Sequence, residues 1–278
     1  MPEDLQIACP DGTLLAATLF SPPHKTSRAA VVAPGMAMPA RFYARYAAFL
    51  AESGIATVTF TYRGMKDVPL SASPHRMRDW GEQDIPAVID WVSTSLQPEK
   101  FLYVGHSAGG QLLGLAPNNT RVDAAFFVSC QSGYWVNYPN RWWYWLVWNV
   151  IFPGLVAACG YFPARRVRFG EDIPPGVALE WARWCRTPGY LYGDPTLDSR
   201  KYVENFQRPL LAWYFSDDPW ATPGTRAEML APYAAADVTE RVVRPDESGA
   251  RHVGHMGFFR DSHAETLWRE SLDWLKQW

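Results

Sequence analysis

The stretch FLYVGHSAGGQLLGL, Phe101 to Leu115, joins an apolar run to a segment of helical spacing through a serine flanked by glycines. Ser107 stands two residues after Gly105 and two residues before Gly109. A serine whose hydroxyl stands clear of a strand end needs a strained backbone in a tight turn, where side chains two residues to either side would collide. The pattern therefore predicts a strand, a sharp turn at Ser107 and a helix.

Outward from this turn, the chain alternates between strand-like and helix-like segments. Runs such as AAVVAPG, IATVTFTYRG, DAAFFVSC and RPLLAWYFSDD are apolar or β-branched, whereas RFYARYAAFLAESG and MRDWGEQDIPAVIDWVSTSL have apolar residues at helical spacing. LQIA and LLAATLF flank an Asp11–Gly12 turn and predict a hairpin. Strands that alternate with helices form a parallel sheet covered on both faces. The sequence thus predicts an α/β protein with a mostly parallel eight-stranded sheet.

The composition argues against several classes of function. The 278-residue chain is 48% hydrophobic and has a formal net charge of -2, which gives no electrostatic basis for binding nucleic acid or acidic lipid. Its four cysteines are scattered and lack the spacing of metal ligands, so we expect free thiols and no metal site. The N-terminal MPEDLQIACPDG has no basic region followed by an apolar run, which predicts a cytoplasmic protein.

The middle of the chain differs in composition from its flanks. Seven of the 14 tryptophans lie between Gln131 and Asn205. We therefore predict a core domain formed by residues 1–130 and 206–278, with an inserted, helical and aromatic-rich cap at residues 131–205.

This cap contains an uncharged run from Trp142 to Tyr161, which is long enough for a membrane span to be considered. Asn149 and the Pro153–Gly154 pair are expected to divide it into two short helices, and tryptophan is typical of membrane interfaces rather than of the bilayer centre. A span and a peripheral membrane contact are alternatives. The favoured interpretation is a pair of cap helices over Ser107 that form an apolar pocket. The tryptophans predicted to line this pocket are Trp135, Trp142, Trp145, Trp148 and Trp184.

Several motifs together resemble the α/β-hydrolase superfamily over nearly the full length of the chain. They are VVAPGM at the oxyanion loop, TYRG after the next strand, GHSAG as the nucleophile elbow, FSDDPW at the acid-bearing strand and VGHMGFF near the C-terminus. Capped hydrolases akin to monoacylglycerol lipases and serine aminopeptidase-like esterases are similar, as are bacterial predicted hydrolases with aromatic caps. The resemblance implies an α/β-hydrolase fold with catalytic residues in the order Ser, Asp, His.

The hypothesis for the reacting groups starts from Ser107 as a nucleophile, which needs a base and an acid that orients the base. His255 lies between glycines in the loop before the last helix, where its ring can swing over the sheet edge, and it is the predicted base. His252 is the second choice.

The acid is predicted at the end of the strand in FSDDPW. Members of the superfamily usually place it three residues after a glycine at the strand end, and Phe215 replaces that glycine here. The same count indicates Asp218, with Asp217 as the alternative. Some hydrolases carry the acid after the preceding strand, but FFVSCQSGYW contains no carboxylate.

Other conspicuous residues are assigned to structure rather than to chemistry. Arg63 in TYRG is expected to brace its loop, and Asp79, Asp84 and Asp90 are expected to cap or solvate a helix. His106, directly before the serine, is expected to be a packing or hydrogen-bonding neighbour.

Two backbone amides are expected to stabilise an oxyanion: that of Ala108, which follows the serine, and that of Met36, after Pro34–Gly35. The predicted function is a serine hydrolase that cleaves a carboxylic ester, or a thioester or amide, with an apolar or aromatic group, through an acyl-enzyme intermediate. No metal ion or organic cofactor is expected.

Two alternative functions stay open on the sequence alone. An acyltransferase or natural-product tailoring enzyme would use the same three residues and pass the acyl group to an alcohol or amine. A non-catalytic ligand-binding protein on this fold would bind without an activated serine. The expected partner is a small-molecule ester substrate, and the sequence makes no prediction of the oligomeric state.

Overall fold

The computed structural model describes residues 2–278, which contain an eight-stranded sheet. The strands are β1 (Pro2–Ala8), β2 (Leu14–Phe20), β3 (Arg28–Ala33), β4 (Ala56–Phe60), β5 (Lys100–His106), β6 (Ala124–Val128), β7 (Pro209–Phe215) and β8 (Asp237–Val243). Their order across the sheet is β1-β2-β4-β3-β5-β6-β7-β8. The pairs β1/β2 and β2/β4 are antiparallel and the other neighbours are parallel, which confirms the predicted sheet.

Helices cover both faces of this sheet. They are α1 (Ala44–Glu52), α2 (Met77–Asp79), α3 (Ile85–Trp91), α4 (Ala108–Gln111), α5 (Arg141–Leu146), α6 (Phe152–Cys159), α7 (Pro175–Trp184), α8 (Pro223–Leu230) and α9 (Arg269–Leu275). Wider π-helical turns at residues 80–84, 92–96, 147–151 and 264–268 adjoin some of these helices.

Alternate residues of the central strands face two separate layers of core. In β3, Ala30 and Val32 pack in the layer that contains residues of α1 and α9, whereas Val31 and Ala33 pack in the layer that contains residues of α3. Successive side chains of a strand point to opposite faces, so a strand that is apolar throughout must be covered on both sides. The apolar runs in the sequence are therefore explained by this three-layer arrangement.

One aspartate has a different environment from the one that the sequence suggests. The sequence predicts that Asp84 caps or solvates a helix, but this residue is fully buried and accepts hydrogen bonds from the Arg63 backbone amide at 2.9 Å and from Arg63 Nε at 2.5 Å. A second carboxylate, Asp11, contacts Arg63 Nη1 at 2.5 Å. Buried charges are stable when they are paired and hydrogen-bonded. Arg63 thus braces the loop after β4 against the helical segment that contains Asp84.

The segment between β6 and β7 carries α5, α6 and α7, the main helices of the predicted cap. The expected division of its apolar run into two short helices is wrong, because α5, the π turn and α6 form one helix, Arg141–Cys159. Pro153 is the second residue of α6, directly after the π turn. A wider turn before a proline gives its ring the space that a regular helical turn lacks. We call Arg141–Cys159 the cap helix.

Candidate active site

Ser107 occupies a strained turn between β5 and α4. Its backbone has φ 48° and ψ -117°, a combination that residues with a side chain rarely adopt. The turn is held by a hydrogen bond from the Ser107 amide to the Val128 carbonyl, at 2.9 Å. Within the run from Phe101 to Gly110, Ser107 alone is partly exposed and the other residues are buried. The turn therefore lifts one hydroxyl out of the core.

The glycines that flank the serine are required by close backbone contacts. A Cβ atom at Gly105 would lie 2.4 Å from Gly110 Cα, and one at Gly109 would lie 2.2 Å from the Ala33 carbonyl oxygen. Both distances are far inside van der Waals contact, and the atoms approached belong to the backbone. The turn packs closely against β3 and α4, and this packing explains the pattern of glycines from which the turn is predicted.

Gly109→Ala is expected to destabilise the protein by about 3 kcal/mol, because the added methyl group must displace the end of β3. Gly154→Ala in the cap helix is the matched control, since a Cβ there meets no atom within 4 Å. Alanine has the higher helix propensity, so this control is expected to gain up to about 1 kcal/mol. Urea unfolding monitored by circular dichroism measures both effects. Equal stability of Gly109→Ala and the wild type would contradict the close packing.

The structure places Asp218 rather than Asp217 against His255. Asp218 Oδ2 lies 2.7 Å from His255 Nδ1, with side-chain exposures of 0% and 8% for the two residues. A carboxylate at Nδ1 leaves Nε2 as the ring nitrogen that can accept a proton. Among residues 2–278, neither His255 Nε2 nor Ser107 Oγ has a hydrogen-bond partner, and both residues border one cavity.

Asp217 holds the loop that carries this histidine. Its carboxylate accepts hydrogen bonds from the amides of Val253 at 2.9 Å and Gly254 at 3.0 Å, and it lies 2.6 Å from His252 Nδ1. Partial burial disfavours the charged form, but the two amides outweigh it and lower the pKa of Asp217 below its ordinary value. The two neighbouring carboxylates therefore have separate partners: one contacts the His255 ring and the other contacts the backbone before it.

A buried chain of hydrogen bonds joins three loops of the site. The Gly35 amide donates to the Tyr43 hydroxyl at 2.7 Å, and this hydroxyl donates its own hydrogen to His106 Nδ1, also at 2.7 Å. His106 Nε2 donates in turn to the backbone carbonyl of His255 at 3.0 Å. Burial lowers the pKa of His106 to about 3, so the ring is neutral and carries one hydrogen. Because the His255 carbonyl can only accept, this hydrogen is on Nε2, and Nδ1 accepts from Tyr43. His106 is thus a hydrogen-bonding neighbour, as its position next to the serine suggests.

The two amides predicted to stabilise an oxyanion belong to the residue that follows the serine and to a residue that borders the same cavity. Ala108 is the first residue of α4, and the first amides of a helix have no partner within it. Met36 borders the cavity and follows Gly35, where a Cβ atom would lie 2.8 Å from His106 Nδ1. Both amides therefore remain predicted donors, with Gly35 required by the close approach of the two loops.

A cavity of about 340 Å³ lies over Ser107 and is enclosed by the cap helix, α7 and the adjoining loops. Its aromatic walls are Tyr138, Trp143, Tyr144, Trp148, Phe152, Phe162, Phe169, Trp181 and Trp220. Within residues 2–278, no group of three or more His, Cys, Asp or Glu side chains is placed to hold a metal ion. Because its walls are largely aromatic, the cavity can take an apolar group beside the serine and histidine.

The structure corrects the tryptophans that the sequence assigns to this pocket. Trp148 borders the cavity, whereas Trp135, Trp142, Trp145 and Trp184 do not. Trp142 and Trp145 are 66% and 40% exposed on the outer side of the cap helix, and Trp184 is buried elsewhere with Nε1 donating to Asp194 at 2.9 Å. The prediction is wrong for these four residues because composition does not indicate which side of a helix faces the protein.

Sequence reasoning does not identify two further neighbours of His255. The Trp220 ring meets the His255 ring edge-on, with 4.6 Å between their centroids. The buried side chain of Gln131 places Nε2 3.2 Å from His255 Nδ1, beside the Asp218 contact. The available signals are the position of Trp220 two residues after Asp218 and that of Gln131 shortly after the end of β6, since parallel strands end at a common edge of the sheet.

These features define a class of protein. A mostly parallel eight-stranded sheet with a serine in a strained turn after β5, and with Asp218 and His255 in the loops after β7 and β8, is the α/β-hydrolase architecture. The model of a family described as the alpha/beta hydrolase family matches residues 30–269. The chain belongs to this family.

Solved structures share the fold at low sequence identity. Brefeldin A esterase, described as a bacterial homologue of human hormone sensitive lipase, is 19% identical, with a TM-score of 0.64 over 100% of this chain and 76% of that chain. Est1E from Butyrivibrio proteoclasticus is 16% identical, with a TM-score of 0.60 over 99% and 98% of the two chains. The esterase domain of a Rhodothermus marinus protein is 15% identical, with a TM-score of 0.60 over 100% and 98%. No curated protein matches the sequence.

Proposed function

We propose that this protein is a serine hydrolase that cleaves a carboxylic ester with an apolar acyl or alcohol group. The observation that carries the proposal is the contact of 2.7 Å between Asp218 Oδ2 and His255 Nδ1, beside a cavity that Ser107 and His255 share. A buried carboxylate fixes the tautomer and orientation of a histidine that acts as a base. The similarity of the fold to several esterases supports the same reaction class.

In the proposed reaction, His255 Nε2 takes the hydroxyl proton of Ser107 while Oγ bonds to the ester carbonyl carbon. Asp218 stabilises the imidazolium through Nδ1, and the amides of Ala108 and Met36 donate to the oxyanion. The ester C–O bond then breaks, and the leaving alcohol takes the proton from His255. Water adds to the acyl-enzyme by the same route, which releases the acid and restores the serine hydroxyl.

The aromatic cavity supports an apolar group next to the scissile bond. For p-nitrophenyl esters of increasing acyl length, kcat/KM is expected to rise about fourfold per methylene until the cavity is filled, as each buried methylene contributes about 0.8 kcal/mol. The length at which the series levels off would then measure the usable depth of the cavity.

A fluorophosphonate probe followed by peptide mass mapping tests the proposal directly, because such probes phosphonylate activated serines. We expect labelling of Ser107 in the wild type and none at this position in Ser107→Ala. His255→Ala is expected to lose the labelling, whereas His252→Ala is expected to retain it because His252 contacts Asp217 and is 68% exposed at its side chain. Wild-type protein that is folded and neither labelled nor active on the ester series would overturn the proposal.

A further inference from the structure

The cap helix exposes a large apolar face. Its buried residues, Trp148, Phe152 and Val156, pack against the body of the protein. Its outer face is formed by large apolar side chains that are between 37% and 66% exposed: Trp142, Trp143, Trp145, Leu146 and Val150. Contiguous exposed apolar patches of this kind are rare on soluble monomers unless they bind something.

The same part of the chain has an unusual charge. Residues 141–168 contain four arginines and no aspartate, glutamate or lysine, although the whole chain has a net charge of -2. Three of these arginines, Arg165, Arg166 and Arg168, are exposed in a turn shortly after the cap helix, together with Val167. We call Arg165–Arg168 the arginine turn. Asp172 lies beside this turn, where its carboxylate accepts a hydrogen bond from the Arg165 amide at 2.9 Å. The exposed apolar face is thus accompanied by a local excess of positive charge that this carboxylate reduces but does not cancel.

The cavity over Ser107 opens between these two features. Trp143 of the cap helix and Val167 of the arginine turn both border the cavity, and they are 56% and 51% exposed. Residues that line a cavity and are also more than half exposed mark its opening. A ligand entering there passes from the apolar and basic surface directly to the serine.

Three occupants of this surface can be compared. The cap helix has the length and composition of a membrane span, at 19 residues and a mean hydropathy of 1.3, but spanning would require the buried contacts of Trp148, Phe152 and Val156 to be broken. A second copy that docked through the same surface would bring another four arginines into one interface, without any aspartate, glutamate or lysine from residues 141–168 to pair with them. An anionic bilayer surface attracts the arginines and accommodates tryptophan side chains at the headgroup level.

We propose that the cap helix and the arginine turn dock this protein on the surface of an anionic bilayer, with the cavity opening towards the lipid. In this position the cap helix lies in the plane of the interface and inserts its tryptophans among the headgroups, while the arginines contact lipid phosphates. The substrate is then a lipophilic ester that partitions into the bilayer. The substrate class rests on the proposed function, whereas the docking itself does not.

Vesicle sedimentation tests the docking, with phosphatidylcholine alone or mixed with phosphatidylglycerol. The wild type is expected to bind the anionic vesicles more tightly. The triple variant Trp142→Ser/Trp145→Ser/Val150→Ser is expected to lose binding and to retain hydrolysis of a soluble p-nitrophenyl ester, since these residues do not border the cavity. Arg166→Gln/Arg168→Gln is expected to weaken anionic binding about 25-fold, or about fivefold per arginine.

The matched control is Leu14→Ser/Val242→Ser, which removes two exposed apolar side chains far from the cap in sequence and is expected to bind as the wild type does. Absence of wild-type binding to anionic vesicles would overturn the proposal. Two other results would also overturn it. The first is a wild type that does not bind lipid but forms a dimer that the triple substitution disrupts, and the second is bound protein that resists alkaline carbonate extraction as a spanning protein does. Bound wild type without hydrolysis of any ester would contradict the proposed function and support the docking alone.

Discussion

Ser107→Ala is expected to lower kcat for ester hydrolysis by about 10⁴- to 10⁶-fold, because the proposed nucleophile is removed and only the proposed oxyanion donors and binding contribute to any residual rate. The variant should fold, since the alanine side chain lacks only one oxygen atom. Steady-state kinetics with a p-nitrophenyl ester measures the loss, and unfolding in urea measures the stability of the same sample.

Ser107→Gly extends this prediction to the strain in the turn. The backbone at Ser107 has φ 48°, and holding a residue with a side chain in such a region costs about 1 to 3 kcal/mol. Glycine adopts this conformation without the steric cost, so the variant is expected to be inactive and more stable than Ser107→Ala by about 1 kcal/mol. A glycine variant that is less stable than the alanine variant would argue against stored strain.

Activity above a hundredth of the wild type in Ser107→Ala would eliminate this residue as the nucleophile.

Asp218→Asn is expected to lower kcat by about 10⁴-fold, because an asparagine NH₂ group facing His255 favours the tautomer in which Nε2 carries the hydrogen. That tautomer cannot accept the proton of Ser107. The structure places the substituted atom 2.7 Å from His255 Nδ1, so the effect should appear in kcat with little change in the free energy of unfolding. Steady-state kinetics over a range of pH would measure it.

Asp217→Asn provides the matched control one residue away. It is expected to retain most of the activity and to lose about 1 to 3 kcal/mol of stability, since the amides of Val253 and Gly254 lose a charged acceptor. The pKa of Asp217 is lowered in the folded protein, so its contribution to stability is present above the ordinary aspartate pKa and disappears as the pH falls through the lowered value. The stability difference should therefore be full at neutral pH and vanish in strong acid. Larger kinetic loss in Asp217→Asn than in Asp218→Asn would reverse the assignment.

The turn at Ser107 and the layers of the sheet are predictable from the sequence because their causes are local. Gly105 and Gly109 are needed wherever a strand enters a helix through so tight a turn, and their spacing shows this without knowledge of distant residues. Apolar runs of strand length likewise indicate strands buried on both faces. The order of these segments indicates a mostly parallel α/β sheet. The α/β-hydrolase fold is implied by the resemblance of the motifs, and the family match over residues 30–269 agrees with it.

Contacts between distant segments cannot be predicted from such local patterns. Asp217 and Asp218 are adjacent and chemically identical, and their side chains diverge, so their separate roles depend on where the loop after β8 lies. Gln131 reaches the same histidine from the end of β6, across 124 positions of sequence. No local pattern encodes such a meeting, because it is produced by the register of the strands that carry each loop.

The predicted cap at residues 131–205 shows the same division most clearly. Its amino-acid sequence determined that residues 131–205 would be rich in tryptophan and contain an apolar helical run, since composition and hydropathy are properties of the chain itself. The tertiary structure decided that Trp148 faces the cavity while Trp142 and Trp145 face outward, and that Pro153 follows a π turn within one continuous helix. The physical reason is that burial against any surface that excludes water stabilises an apolar side chain. The position of each tryptophan is therefore determined by the surfaces that the packed protein offers, and not by the neighbouring sequence.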